Sequence, residues 1–222
     1  MPIAFFNLAV LTGSGLSAEV LGTRGGEACA WAAAQSVPWL LVVTHEQLAP
    51  GVAATLKAFG LTAVMPLTGM IARTVAAAPA VAGLQLTVPE SDSGYAAIVD
   101  INGLAYGMDL GPSKGAIGSR TFWKDHFPVV GVADGKPASS AAVLMVDGHR
   151  YVALVATDPA LQRRGFGDAT MRRALENAAS AHGETPTVLH ATDAGRPIYE
   201  RMGYSRISTH TLLMEERFLG EH

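Results

Sequence analysis

Two Asp-Gly dipeptides, Asp134-Gly135 and Asp147-Gly148, cut one long apolar stretch into three runs: Phe127–Ala133, Ala138–Val146 and Tyr151–Ala156. Asp-Gly suits the two-residue hairpin turn that requires positive φ at both central positions. Short apolar runs bounded by such turns read as strands, so residues 127–156 predict a meander of three antiparallel strands. A sheet of this kind has to bury a face, and the flanking segments supply the cover. Tyr95–Tyr106 reads as a helix with Tyr95, Ile98, Val99, Ile101 and Ala105 inward. Gly165–Ala179 reads as another, with Met171, Ala174, Leu175 and Ala178 on one face. Leu84–Val88 and Thr187–His190 read as strands, and the glycine-rich Gly111–Gly118 as a loop or short broken helix. Gly195–Met202 reads as a short helix capped by Gly203, and Ser205–Met214 as a final β segment.

The N-terminal part has its own alternation. Residues 3–11 read as a strand and 17–35 as an alanine-rich helix weakened by Gly22, Gly25 and Gly26. Pro38–Thr44 reads as a strand, and Pro50–Phe59 as a helix ended by Gly60. Leu61–Val64 and Gly69–Arg73 suggest a short hairpin. The small-residue run Ala76–Gly83, broken by Pro79, is the best linker. The expectation is two parts: a smaller N-terminal α/β half-domain over 1–80, with apolar bulk from Phe5, Phe6, Trp31 and Trp39, and a larger domain over 84–222. The two halves mix strands and helices in comparable order, without an exact repeat.

Composition limits the function classes. The chain has 222 residues, 49% hydrophobic and 16% charged, which suits a packed core and excludes a disordered chain. A net charge of −3 gives no basic field for nucleic acid or anionic lipid. The single cysteine, Cys29, excludes an internal disulfide and a cysteine zinc site; it sits among alanines as an inert, packed thiol. The seven histidines show no metal-ligand spacing. The start, Met1 to Leu11, lacks a basic segment, and no apolar run approaches the roughly 20 residues of a membrane helix. These features predict a cytoplasmic protein that binds neither membrane nor metal.

The chemistry concentrates in Val155-Ala-Thr-Asp-Pro-Ala-Leu-Gln-Arg-Arg-Gly-Phe-Gly-Asp-Ala169. A strand ends near Thr157, Asp158-Pro159 breaks it, and Gly165-x-Gly167 starts an amphipathic helix. A helix N-terminus offers unpaired N–H groups and a partial positive charge, which together suit phosphate. Glycines there remove the Cβ atoms that would hold a ligand off the backbone, and Arg163 and Arg164 add charge. Arg172 and Arg173 read as a solvated face, and Arg164 and Asp168 stand at the spacing of a surface ion pair. This local physics specifies a pyrophosphate without naming its bearer.

Gln162-Arg-Arg-Gly-Phe-Gly167 resembles the acetyl-CoA signature of the GCN5-related N-acetyltransferase (GNAT) family. The later run Leu189-His-Ala-Thr-Asp-Ala-Gly-Arg-Pro-Ile-Tyr-Glu-Arg-Met-Gly-Tyr204 resembles that family's second motif near CoA. The resemblance covers roughly residues 86–217. It implies an α/β fold with a mixed, mostly antiparallel central sheet flanked by helices, the N-terminal half resembling the extra half-domain of larger bacterial members. It implies acetyl-CoA as co-substrate and an amine acceptor, small molecule or peptide, that attacks the thioester directly. Gln162, Arg163, Arg164, Gly165, Phe166, Gly167 and Asp168 would then line the pyrophosphate. The backbone of Leu154, Val155, Ala156 and Thr157 would hold the pantetheine arm in a cleft where this strand diverges from Thr187–His190. Thr192 stands where the family often has Asn, beside the pantetheine. Tyr199 would protonate the leaving thiolate. For the base, Glu90, Asp92, Asp125, His126 and His190 stay open, as does oligomeric state, with a homodimer one option.

Two other readings compete. Gly13-Ser-Gly15-Leu-Ser-Ala18, between a strand and a helix and with Glu46 past the next strand, fits the G-x-G-x-x-A of a dinucleotide-binding βαβ unit. A non-catalytic acyl-CoA-binding or sensor protein would keep the cofactor loop and lack a working acceptor site.

Overall fold

The computed structural model describes residue 4 and residues 7–12, 17–35, 37–45, 48, 50–77 and 80–219. In chain order the elements are β1 (Leu8–Val10), α1 (Ala18–Ala33), β2 (Leu40–Thr44), α2 (Pro50–Ala58), β3 (Leu61–Ala72), β4 (Gln85–Thr87) and α3 (Asp92–Tyr106). A short α4 (Lys114–Ile117), β5 (His126–Ala133), β6 (Lys136–Val146), β7 (His149–Thr157), α5 (Phe166–His182), β8 (Thr187–Ala191), α6 (Arg196–Arg201) and β9 (Ser205–Glu215) follow. The architecture is mixed α/β, with a mostly antiparallel sheet flanked by helices. Two compact units result: Met1–Gly69 with Ala191–Arg196 and Arg206–His222, and Met70–His190 with Pro197–Ser205.

In the first unit the strand order is β1-β2-β9-β3. β1 and β2 pair in parallel with α1 between them, so the β-α-β layout read from the sequence exists, but β2 then pairs antiparallel with β9. Gly13 to Leu16, Glu46, Phe5 and Phe6 lie outside the described residues. The glycines of α1 turn out to serve packing. A Cβ on Gly22 or Gly25 would come within 2.7 Å of the Thr55 or Leu56 side chain, and one on Gly26 within 3.1 Å of Phe59, so a larger residue would have to push aside side chains of α2 and the residue that follows it. Leu21, Trp39, Leu41, Val43, Leu56 and Leu213 form the core here, with Cys29 packed at its edge. Burial, aided by the charge of Glu215, pushes the Cys29 thiol up, which suits an inert role. Trp39 donates to Glu215 Oε1 at 2.6 Å, whereas Trp31 is exposed.

The short hairpin expected between Leu61 and Arg73 is absent; β3 runs unbroken through Pro66. Its neighbour β9 has 11 residues, a pairing partner of comparable length. A Cβ on Gly69 would fall 2.2 Å from Ser208 Oγ, which shows how closely the two strands lie. The exposed proline is accommodated because tertiary pairing overrides the local turn signal.

In the second unit the order is β8-β7-β6-β5-β4. The meander forms as read: Asp134 and Gly135 have φ of 51° and 74°, Asp147 and Gly148 45° and 71°, the double positive φ of two-residue hairpins. Ser139 on β6 meets Thr170 of α5, and its neighbour Ser140 meets Asn102 of α3. Adjacent strand residues point to opposite faces, so α3 and α5 cover opposite faces of the meander. On the α3 face Tyr95, Ile98 and Ile101 pack against Trp123, Val130, Ala142 and Ala156. No helix among the described residues is long and apolar enough to cross a membrane.

Candidate active site

The site begins where two parallel strands part. β7 pairs with β8 at Arg150↔Thr187 and Tyr151↔Val188, and the register ends there although both strands continue. The paired end is locked. The guanidinium of Arg150, 3% exposed, donates to Glu184 at 2.6 Å and to the Thr185 carbonyl. Thr187 Oγ1 donates to the Arg150 carbonyl at 3.0 Å and shares a 2.8 Å hydrogen bond with Tyr204. Pairing held at one end and absent at the other produces the divergence expected of these strands.

Beyond the parting, β7 bulges. Ser140 faces Ala156 and Ala142 faces Ala153, so Leu154 and Val155 together oppose the one residue Ala141. Leu154 takes φ of 53°, unusual for a branched side chain. Asn102 Nδ2 donates to the Ile98 carbonyl at 2.8 Å and to Ser140 Oγ at 2.9 Å, and Ser140 Oγ donates to the Leu154 carbonyl at 2.9 Å. The Tyr106 hydroxyl donates to the Val155 carbonyl at 3.2 Å.

After Thr157 the chain turns sharply. Asp158 accepts from the Ala160 N–H at 2.8 Å. Gln162 is extended, Arg163 has φ of 62° and Gly165 φ of 80°. Gly165 is the N-cap of α5 and offers no side-chain acceptor, so the first-turn N–H groups have no helical or capping side-chain partner. Gln162, Arg163, Arg164 and Gly165 are exposed beside them. A Cβ on Gly167 would fall 2.7 Å from Thr157 Oγ1; the first turn of α5 is thus pressed against the end of β7. Thr170 Oγ1 donates to the Phe166 carbonyl at 2.8 Å and contacts Ser139 Oγ at 2.7 Å, fixing that turn from below.

Several side chains of this segment and of α5 are committed to neighbours, and one of them, Arg172, departs from its sequence reading. Phe166 is 1% exposed, packed on Ala133 and Ala138 with Val81, Leu84 and Leu161 beside it, so its ring serves the core. Arg164 lies over that ring, 4.6 Å from the centroid, and does not pair with Asp168. Asp168 pairs with Arg172 at 2.7 Å, and Arg172, 13% exposed, also donates to the Ala76 carbonyl; it staples the linker and is no solvated residue. Arg173 does sit in solvent, paired with Glu176.

Of the second motif, Tyr199 on α6 is half-buried, its ring edge-on to Tyr204 at 6.0 Å. Burial, with Tyr106 and Tyr204 nearby, holds its hydroxyl well above the usual phenol range. Thr192 caps the turn into α6: its carbonyl accepts from Arg196 N–H at 2.9 Å and its Oγ1 from Gly195 N–H at 3.2 Å. Among the candidate bases, Glu90, Asp92 and Asp125 are exposed. His126 packs edge-on to Trp123, and His190 lies 3.2 Å from the Tyr151 hydroxyl. Asn102, Tyr106, Ser139, Ser140 and Thr170 escaped the sequence reading. The available signal was an amide on the apolar face of α3 and a Ser-Ser pair inside an apolar strand.

Residues 120–213 match the family model of the acetyltransferase (GNAT) domain. Among solved structures the chain resembles a GCN5-related N-acetyltransferase from Kribbella flavida, with TM-score 0.72 and 24% identity over 97% of this chain and 84% of that one. It also resembles an acetyltransferase of the GNAT family from Novosphingobium aromaticivorans (TM-score 0.55, 19% identity, 81% and 75% covered). A third likeness is to a GCN5-related N-acetyltransferase from Sphaerobacter thermophilus (TM-score 0.62, 12% identity, 86% and 67% covered). At these identities the three are likenesses of fold. Among curated protein sequences none matches the chain. Residues 120–213 are thus an acetyltransferase (GNAT) domain, the domain of an acyltransferase.

Proposed function

We propose that this acyltransferase moves an acetyl group from acetyl-CoA to an amine by direct attack on the thioester. The family generally uses acetyl-CoA and acts on amine acceptors. The observation that carries the reading is the exposed first turn of α5, capped by Gly165 without a side-chain acceptor and set against the end of a strand that has parted from its neighbour. Such a turn suits a pyrophosphate, with Gln162, Arg163, Arg164, Gly165, Gly167 and the Phe166 and Asp168 N–H groups around it. The Arg172 guanidinium beside Asp168 offsets a carboxylate that would repel phosphate. The gap beside Leu154, Val155, Ala156 and Thr157 suits an extended pantetheine arm, and a contact of Thr192 with that arm is implied by the family resemblance alone.

The amine nitrogen attacks the thioester carbonyl carbon and forms the carbon–nitrogen bond, and the carbon–sulfur bond breaks with the electron pair going to sulfur. The nitrogen sheds one proton to solvent, and the CoA thiolate takes one up from solvent after release. Backbone N–H groups of the bulge are the donors proposed for the developing oxyanion. Tyr199 is the donor proposed for the sulfur. A phenol is protonated at neutral pH even unperturbed, and burial raises this one further. Complete transfer would leave a buried phenolate, so its contribution is a hydrogen bond that strengthens as charge grows on sulfur. Residues 1–80 are proposed as a half-domain without a second acetyl-CoA, so calorimetry should find one molecule per chain.

A panel of small amines and amino-terminal peptides, scored by release of free thiol from acetyl-CoA, tests the reading. The expected result is release that depends on particular amines. Slow release independent of every amine would replace the enzyme with a binding or sensor protein. Thermal protection by NAD or NADP and none by acetyl-CoA would favour a dinucleotide ligand.

A further inference from the structure

We infer that Asn102 and Ser140 are positioning residues for acyl transfer: they lock the β7 bulge so that the Val155 N–H is aimed into the gap beside β8. The inference rests on the acyl-transfer reading above. Asn102 is 2% exposed and Ser140 fully buried, and a buried polar group is costly unless its hydrogen bonds are met. Here they are met in one direction only. The Asn102 amide anchors on the Ile98 carbonyl of its own helix and donates to Ser140 Oγ, which passes its own hydrogen to the Leu154 carbonyl. The chain of donors ends on the residue whose φ is positive. A left-handed leucine is strained by about 1–2 kcal/mol and persists only where its surroundings hold it.

The consequence follows from peptide geometry. The chain has no cis peptide among its described residues, so the Leu154 carbonyl and the Val155 N–H point in opposite directions in one rigid plane. Ser140 Oγ lies on the α3 side of β6 and Asn102 Nδ2 is 3.4 Å from the same oxygen, so the Leu154 carbonyl is turned toward β6 and α3. The Val155 N–H then points away from β6 and α3, on the side from which β8 has departed after Tyr151↔Val188. A donor that would elsewhere in a sheet meet the next strand is thereby turned toward the proposed acyl group. Asn102 and Ser140 touch neither reactant; they fix the direction of a group that does.

The test uses Ser140→Ala, Ser140→Cys and Asn102→Leu in the full chain. Two readouts are needed: steady-state kinetics with the best amine of the panel, and amide hydrogen exchange across Leu154–Ala156 and the first turns of α5. Loss of the Ser140 hydroxyl should lower kcat about 10- to 100-fold, the scale of a misplaced reacting group. KM for acetyl-CoA should stay within about twofold, since the interaction is made mainly in the transition state. Exchange at the bulge should quicken while α5 stays protected. Ser140→Cys, which keeps a weak donor, should fall between wild type and Ser140→Ala. Unchanged exchange in Ser140→Ala and Asn102→Leu would show that they do not lock the bulge. Faster exchange with unchanged kcat would show that the lock does not serve the reaction. A wild-type protein with no amine-dependent thiol release would instead sink the acyl-transfer reading, and with it the positioning role, while the exchange data would still decide whether the lock exists.

Discussion

Two substitutions of Gly165 separate backbone strain from charge at the mouth of α5. Its φ of 80° and ψ of 4° are left-handed, a conformation that costs an L residue about 1–2 kcal/mol. An added Cβ would meet Val81 Cγ2 at 3.8 Å, an ordinary contact, so no clash adds to the strain. Gly165→Ala and Gly165→Glu therefore share one stability cost, about 2–8 °C in Tm for a chain of this size. Only glutamate brings a negative charge to the turn where phosphate is proposed. One unit charge about 4 Å from another is worth ~1 kcal/mol in water and ~4 kcal/mol at the effective dielectric near a protein surface. Gly165→Glu should thus bind acetyl-CoA about 5-fold to 10³-fold more weakly than Gly165→Ala, with the gap narrowing as salt rises. Titration calorimetry of both variants at two salt concentrations measures this. Equal affinities in the two variants would refute a phosphate at this turn.

Tyr199→Phe should lower kcat by roughly 10²-fold with little change in acetyl-CoA affinity; unchanged turnover under conditions where transfer limits the rate would remove Tyr199 from the mechanism. Arg172→Gln should weaken acetyl-CoA binding several-fold, about 0.5–1 kcal/mol, by baring the Asp168 carboxylate, and Asp168→Asn on top of it should restore affinity; failure of the double variant to recover would point to a direct role for Arg172. Burial pushes the Tyr204 phenol up to about 12 from 10.0. A raised folded pKa means that this contribution to stability is complete below pH 10 and is lost as pH rises toward about 12, because the unfolded chain releases the proton first. Urea unfolding should show stability falling by about 1.4 kcal/mol per pH unit from this group, and Tyr204→Phe should flatten the slope by one proton; an unaltered slope would assign the alkaline loss elsewhere.

What the sequence made legible was what local chemistry decides. The two Asp-Gly turns fixed the meander because positive φ at both positions is a property of four consecutive residues. Gly165 at the start of α5 was legible for the same reason. β3 was read as a hairpin of Leu61–Val64 and Gly69–Arg73 because its pairing with β9, more than 130 residues later in the chain, is not encoded locally. The α1 glycines looked like helix weakness because their purpose, the close approach of α2, lies on another element. The bulge was invisible for a similar reason: it is a mismatch of two residues against one between strands, held by an amide 52 positions from the carbonyl it approaches. Arg172 was misplaced in solvent because its partner is a backbone carbonyl in the linker, 96 positions away. In each case the missed feature is a long-range pairing that periodicity along one element does not encode.

Ser139 and Ser140 connect the two halves of the site through one dipeptide. Ser139 faces α5 and, through Thr170, the carbonyl of Phe166 in its first turn; Ser140 faces α3 and the bulge. Disturbing one face should therefore affect phosphate binding, and disturbing the other should affect transfer. Gly131 on β5 gives access to the first face alone. A Cβ there would fall 2.3 Å from Ser139 Oγ, 2.8 Å from Thr170 Oγ1 and 3.0 Å from Leu84 Cδ1. Gly131→Ala must push this buried pair aside, at the 1–3 kcal/mol typical of overpacking, about the same as the strain at Gly165. Thr170 is carried on α5, so the displacement should pass to the first turn and raise KM for acetyl-CoA about 10-fold, with kcat at saturation largely kept. Ser140→Ala should do the reverse, lowering kcat and sparing KM. The two effects should add in the double variant, because the side chains lie on opposite faces and share no partner. A Gly131→Ala enzyme that lost kcat and kept KM would mean that the first turn of α5 and the bulge move together, and that the sheet between them does not separate binding from chemistry.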